Sequence, residues 1–134
     1  MLKLIMIAGS GGLLGTICRF LASRYLFTLF VSTFPFATFI INIAGCLLIG
    51  IIFGLTQKSN FLNAEWILFL TVGFCGGFTT FSAFALENLT LLNNGNSFHF
   101  ALYTGLSIFL GIMATWLGHW FIVKTLVLFC KIGV

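Results

Sequence analysis

A polar, glycine-rich stretch interrupts a long apolar run between residues 73 and 84. Gly76 and Gly77 are adjacent, and hydroxyl residues follow them at once: Thr79, Thr80 and Ser82. Backbone that leaves a helix inside hydrocarbon is tolerated only where protein or a cavity satisfies its polar groups. Freed carbonyl oxygens at mid-membrane are ready cation ligands. A tight helix crossing through Gly73 and Gly77 is the alternative, and it leaves the hydroxyl residues unexplained.

Two phenylalanines lie in the second half of this stretch. Phe81 and Phe84 are three residues apart, so a helix places them on one face. Aromatic ring edges carry partial positive charge, which lets them face an anion without trapping it as a lysine would. Phenylalanine is also abundant in this chain, with 18 of 134 residues, so an ordinary lipid-facing role is the alternative.

Asn42 is the only amide in a second apolar segment, with Thr38 and Cys46 one helical turn before and after it. An amide in hydrocarbon is costly unless it is paired. It can act as interhelical glue, through a hydrogen bond worth about 1 kcal/mol. It can equally be a pore-lining donor that replaces the hydration of an ion.

Further polar residues lie in the first, third and fourth apolar segments. The fourth segment carries a stripe of small and hydroxyl residues that serves either packing or lining: Tyr103, Ser107, Gly111, Thr115 and Gly118. Arg19 is a charge at depth that can snorkel, pair or hold positive potential in an aqueous vestibule. Glu87 is the only acid inside a segment, and we expect it to reach the interface near a helix end.

The elements that carry these residues are four predicted membrane spans. The chain has 134 residues, 60% hydrophobic and 6% charged, with a mean hydropathy of +1.20. Such a composition cannot cover a water-facing surface, since soluble domains average about 25% charged residues. The predicted spans form one all-α domain over residues 1–134: 4–30, 36–55, 66–92 and 98–123. Each reaches the roughly 20 residues that cross a bilayer.

The remaining composition excludes several functional classes. Six scattered basic residues give a net charge of +4 without a cluster, which argues against nucleic-acid binding. The four cysteines have neither metal-ligand spacing nor the pattern of a disulfide framework. No set of nucleophile and base appears, so the sequence does not predict an enzyme. Four thin helices make a poor pathway alone, which favours a symmetric dimer.

Three stretches together resemble the Fluc (CrcB) family of fluoride channels. Residues 11–20 are similar to its G-G-x-x-G-x-x-x-R-[YFW] pattern, and residues 38–45 to its T-x-x-x-N-x-x-G pattern. Residues 73–84 match the specific signature G-x-x-G-G-x-[ST]-T-F-S-[TS]-F except at Ala83. A second departure is Gly111, where some members have serine. At these two positions the chain lacks the hydroxyl groups of the family's polar track.

The resemblance implies a passive fluoride channel of the plasma membrane, the inner membrane in bacteria, that lowers fluoride toxicity. It implies an antiparallel, dual-topology homodimer with two fluoride pathways. A structural sodium ion would lie at its centre, held by backbone carbonyls of Gly76 and Thr79. Arg19 would lie in the vestibule. The other implied pathway residues are Asn42, Phe81, Phe84, Ser82, Thr38, Tyr103 and Ser107.

A proton-coupled small multidrug-type exporter is the alternative function, since it also uses four short helices and dual topology. Such a carrier needs a carboxylate deep in its pathway. Glu87 is the sole candidate, and its predicted place near a helix end argues against it. A fluoride-efflux assay in liposomes separates the two functions.

Overall fold

A computed structural model describes the backbone of residues 1–58 and 62–132, and the side chains of residues 1–57 and 62–128. The side chains of Lys58, Cys130 and Lys131, whose charges and thiol entered the sequence argument, lie outside the described residues. All regular elements within the described ranges are helical: α1 (Leu2–Leu29), α2 (Phe36–Lys58), α3 (Ala64–Leu68), a π-helical stretch (Phe69–Cys75), α4 (Gly76–Phe78), α5 (Phe81–Asn93) and α6 (Ser97–Ile132).

Within the described residues, four stretches are long and apolar enough to cross a membrane: Leu2–Leu29, Phe36–Gln57, Ala64–Asn93 and Ser97–Leu128. The prediction of an all-helical membrane protein with four spans and an interrupted third one is therefore confirmed. The last helix continues well past its predicted end at residue 123, to Ile132.

The third span is broken at two threonines. Thr79 (φ −90°, ψ 158°) and Thr80 (φ −148°, ψ 116°) are both extended and separate α4 from α5. The Thr80 hydroxyl accepts a hydrogen bond from the Ala83 N–H at 3.3 Å, which caps the restarted helix. The opening lies within the predicted stretch, at two of its hydroxyl residues, whereas Gly76 and Gly77 keep helical geometry.

The glycines of the third span let α1 approach closely. A Cβ on Gly77 would overlap the Gly12 carbonyl oxygen, and one on Gly73 would lie 2.8 Å from the Ala8 carbonyl oxygen. The alternative drawn from the sequence, a tight crossing through Gly73 and Gly77, is therefore what these two residues form. The hydroxyl residues that this crossing did not explain form the break itself.

On the other side of the third span, α2 packs along α6 and also reaches the break. Gly45 on α2 lies against the methyl group of Thr79, where a Cβ would overlap it. At the opposite end of α2, Tyr103 of α6 is fully buried and packs with Phe34 and Leu91. This cluster fixes α5 and α6 against the start of α2, one turn or more from the break.

Candidate functional site

Asn42 takes the place of the missing helical partners at the break. In a continuous α-helix the Thr80 N–H would donate to the Gly76 carbonyl. Here it donates to Asn42 Oδ1 at 2.9 Å, and Asn42 Nδ2 donates to the Thr80 carbonyl at 3.3 Å. The Asn42 amide thus satisfies both the backbone N–H and the backbone carbonyl of Thr80 inside the membrane span. This is the interhelical pairing that the sequence suggested, and it leaves one Nδ2 hydrogen for another acceptor.

Arg19 also binds the interrupted backbone. Its Nε donates to the Gly77 carbonyl oxygen at 3.1 Å, and the Thr16 hydroxyl lies 3.5 Å from the same oxygen. In a continuous helix that oxygen would accept from Phe81. Arg19 was expected to snorkel, to pair or to hold positive potential, and its Nε pairs. The other guanidinium nitrogens remain as further donors, and the group keeps its positive charge.

A cavity of about 260 Å³ opens beside the break. Its lining includes four of the residues predicted to form the fluoride pathway: Asn42, Phe81, Phe84 and Ser107. Thr79 and Thr80 of the break contribute to it as well. The Phe81 and Phe84 rings lie 5.8 Å apart at 37°, and the Phe81 side chain is 81% exposed in the single chain. Polar donors and aromatic rings therefore meet at one place.

Glu87 is the residue that the sequence argument placed wrongly. Its side chain turns inward, where Oε1 accepts from the Thr38 hydroxyl at 2.6 Å and Oε2 accepts from the Tyr103 hydroxyl at 2.7 Å. Both predicted hydroxyl residues are thus donors to one carboxylate. The signal was available in part, because α2 and α5 run antiparallel. Pairing Asn42 with Thr80 then brings the preceding turn of α2, with Thr38, toward the later turns of α5 and so toward Glu87.

This carboxylate group adjoins the cavity through aromatic rings. The Phe84 ring contacts the buried Tyr103 ring at a centroid distance of 5.1 Å. Phe84 therefore touches the cavity on one side and the Glu87 group on the other. Ser82 lies apart from both, exposed, with its hydroxyl 3.2 Å from that of Thr80.

The family described as CrcB-like protein, Camphor Resistance (CrcB), matches residues 6–119. The chain belongs to this family. It is 47% identical over 117 residues to a protein of Flavobacterium psychrophilum named fluoride-specific ion channel FluC, covering 87% of this chain and 94% of the relative. Proteins with the same name from Azobacteroides pseudotrichonymphae and Chlorobium luteolum are 43% and 44% identical, over 89% and 85% of this chain and 95% and 88% of theirs.

The polar stripe on α6 of this CrcB-family chain divides between packing and lining. Gly118 packs on the α2 backbone at Leu47, and the Thr115 hydroxyl donates to the Cys46 carbonyl at 3.0 Å. Ser107 makes no hydrogen bond within the described part of the chain. It lines the cavity at the break and also a wider groove of about 580 Å³ that continues past Gly111 to His119. Ser107 is thus the stripe's hydroxyl that remains available to a ligand.

Proposed function

We propose that this chain is a fluoride-selective passive channel. The observation that carries the proposal is the convergence of Phe81, Phe84, Asn42 and Ser107 on one cavity beside a broken membrane helix. The family membership supports it, because the curated relatives bear the name fluoride-specific ion channel. Fluoride is small and strongly hydrated, so its pathway must replace water with donors that bind weakly enough to release the ion.

The chemistry available to the anion consists of one free Asn42 N–H, the Ser107 hydroxyl and two ring edges. None of these groups is a fixed cation, so the anion would be solvated without being trapped. The Thr38 and Tyr103 hydroxyls donate to Glu87 in the single chain, and they would serve fluoride only by turning away from that carboxylate. We place the Thr38 and Tyr103 hydroxyls in the pathway on this condition. We also place Ser82 there, whose hydroxyl lies 3.2 Å from that of Thr80. The Arg19 guanidinium would add positive potential near the break.

The working unit would be an antiparallel homodimer with dual topology. Phe81 supports this, because a ring that is 81% exposed on a single chain has no wall opposite to it. A second copy laid against this face would close the cavity and cover the ring. Closed C₂ dimers are also the commonest soluble homo-oligomers, and each copy would supply the same surface to the other.

A sodium ion at the dimer centre would fit the backbone carbonyl oxygens at the break. The Gly76 carbonyl lacks its ordinary helical donor, since the Thr80 N–H is turned to Asn42. Thr79 is extended, so its carbonyl leaves the helical ladder. Within the described residues no cluster of three His, Cys, Asp or Glu side chains could hold a metal. Backbone oxygens of Gly76 and Thr79 from two copies would therefore be the ligands, and the ion would lend positive potential to an anion path.

In the cell, hydrogen fluoride enters as a neutral acid and ionises in the cytoplasm. A channel in the inner membrane would let the anion leave down its electrochemical gradient. The proton-coupled exporter is not favoured, because the Glu87 carboxylate is engaged by two hydroxyl donors and does not line the cavity at the break.

Fluoride efflux from liposomes containing the purified protein tests the proposal. We expect a fluoride electrode to record rapid efflux, with chloride passing far more slowly. Phe81→Ile should abolish or greatly slow the flux while the dimer still forms on a sizing column. Absence of fluoride flux in the original protein, or equal flux of chloride, would overturn the proposed function. Normal flux in Phe81→Ile would overturn the role of the ring.

A further inference from the structure

Asn88 is a buried polar side chain with no role in the proposed ion path. It is 7% exposed and lies on α5, one helical turn after Phe84. Its Oδ1 accepts a hydrogen bond from the Thr104 hydroxyl of α6 at 2.8 Å. Its Nδ2 donates to the Phe84 carbonyl at 2.9 Å. One amide therefore connects α6 directly to the backbone of a pathway residue.

The break gives this connection its importance. Across Thr79 and Thr80 the helical hydrogen-bond ladder stops, so α5 does not take its rotation and depth from α4. The Asn42 pairing fixes only the first end of α5. Beyond that end, the rotation and depth of α5 come from its contacts with α2 and α6. These contacts are the apolar cluster at Leu91, the bonds of Glu87 to Thr38 and Tyr103, and the bond of Asn88 to Thr104.

Of these contacts, only that of Asn88 bears on Phe84 through its backbone. The hydroxyl partners of Glu87 are predicted pathway residues, so an anion would compete with the carboxylate for them. Asn88 is buried, and its two partners are the Thr104 hydroxyl and the Phe84 carbonyl, which are not predicted to bind the anion. The Asn88 bonds are therefore suited to holding α5 in position while fluoride passes.

We propose that Asn88 and Thr104 form a positioning pair that sets the rotation of α5 and so aims the Phe84 ring into the cavity. The inference rests on the proposed fluoride function. It adds to that function a residue pair outside the cavity, acting through the backbone of Phe84.

The first test is Thr104→Val, which keeps the shape of the side chain and removes only the donor to Asn88. Thr104→Ser restores the hydroxyl. Interhelical hydrogen bonds in membrane proteins correspond to factors of about 3 to 20 in an equilibrium constant. We expect Thr104→Val to lower fluoride flux per reconstituted dimer by such a factor and to lower fluoride-to-chloride selectivity. Thr104→Ser should recover most of both.

Asn88→Val removes both bonds and should have the larger effect. When Asn88→Val and Thr104→Val are combined, the loss of flux should match that of Asn88→Val alone, because the bond between the two side chains is already absent in that single variant. Thr90→Val is the matched control. Thr90 lies on the same helix, and its hydroxyl makes a similar bond to a carbonyl four residues back, Leu86, at 2.9 Å. It is exposed and makes no bond to α6, so its flux should stay at the original value.

The measurement separates positioning from mere support of the fold. A structural role would lower the yield of dimer and its unfolding temperature, while each dimer that forms would conduct normally. Normal flux per dimer and unchanged selectivity in Thr104→Val overturn the positioning role, and this variant covers the case in which Asn88→Val does not fold. If the original protein carries no fluoride, the proposed function itself is refuted and the positioning pair falls with it.

Discussion

Replacing Asn42 by alanine removes two hydrogen bonds from the Thr80 peptide groups at once. An unsatisfied buried backbone group costs about 1–3 kcal/mol. Asn42 and Thr80 are only half-buried in the single chain, so water in the cavity would recover part of the loss. We therefore expect Asn42→Ala to lower the free energy of unfolding by about 2–3 kcal/mol.

Chemical or thermal unfolding of the purified protein in detergent measures this change. Cys46→Ala is the matched control, because Cys46 lies one turn along the same face of α2 and also lines the cavity. Its side chain makes no hydrogen bond to the break, and the loss of a sulfur atom should cost less than about 1 kcal/mol. If Asn42→Ala is no less stable than Cys46→Ala, the bracing of the break by Asn42 is refuted.

A second substitution separates bracing from the solvation of an anion. Asn42→Asp keeps an acceptor for the Thr80 N–H and loses both donor hydrogens. We expect it to carry less fluoride than the original protein, since a carboxylate repels an anion, and to lose the bond to the Thr80 carbonyl while keeping the bond from the Thr80 N–H. Flux as high as in the original protein would show that the amide N–H is dispensable for transport.

Three further substitutions address separate contacts. Gly77→Ala places a methyl group on the Gly12 backbone and should cost about 1–3 kcal/mol of stability by unfolding assay. The control is Gly9→Ala on α1, whose Cβ would meet nothing within 4 Å and should cost little. Ser107→Ala should reduce fluoride efflux several-fold without changing stability, because this hydroxyl has no described partner to lose. Tyr103→Phe removes one donor from Glu87 and should cost about 1–2 kcal/mol of unfolding free energy.

Each of these substitutions has an outcome that contradicts it. Equal stability of the alanine variants at Gly77 and Gly9 would refute the close crossing with α1. Unchanged efflux in Ser107→Ala would remove that hydroxyl from the pathway. If Tyr103→Phe is as stable as the original protein, the carboxylate does not depend on the phenol.

The spans and the interrupted helix follow from the sequence because hydrocarbon imposes length, composition and backbone pairing together. The location of the opening was harder to predict. Glycine is conformationally permissive, but Gly73 and Gly77 pack against the α1 backbone. The extended residues are instead Thr79 and Thr80, and Asn42 accepts a hydrogen bond from the Thr80 N–H. Propensity alone does not reveal which neighbour will supply those partners.

The inward direction of Glu87 depended on tertiary structure in the same way. A helix that restarts after a break has a rotation that no periodicity within it determines. Its faces can be assigned only once the partners of Thr80, Glu87 and Asn88 are known. No single feature of the sequence predicts the bond from Asn88 to Thr104, because an asparagine next to the only intramembrane acid is also typical of a helix end.

The π-helical stretch Phe69–Cys75 has a consequence for changes in chain length. A π-turn accommodates one residue more than an α-turn, so it behaves as an insertion absorbed within a helix. Deleting Val72, whose side chain is 64% exposed, would let the stretch relax to α geometry at little packing cost. The helical segments on either side of the stretch would then keep their phase, because the bulge had already absorbed the extra residue. Gly77 would stay at its crossing with Gly12, so this outward-facing position should tolerate a deletion better than a position inside a continuous α-helix.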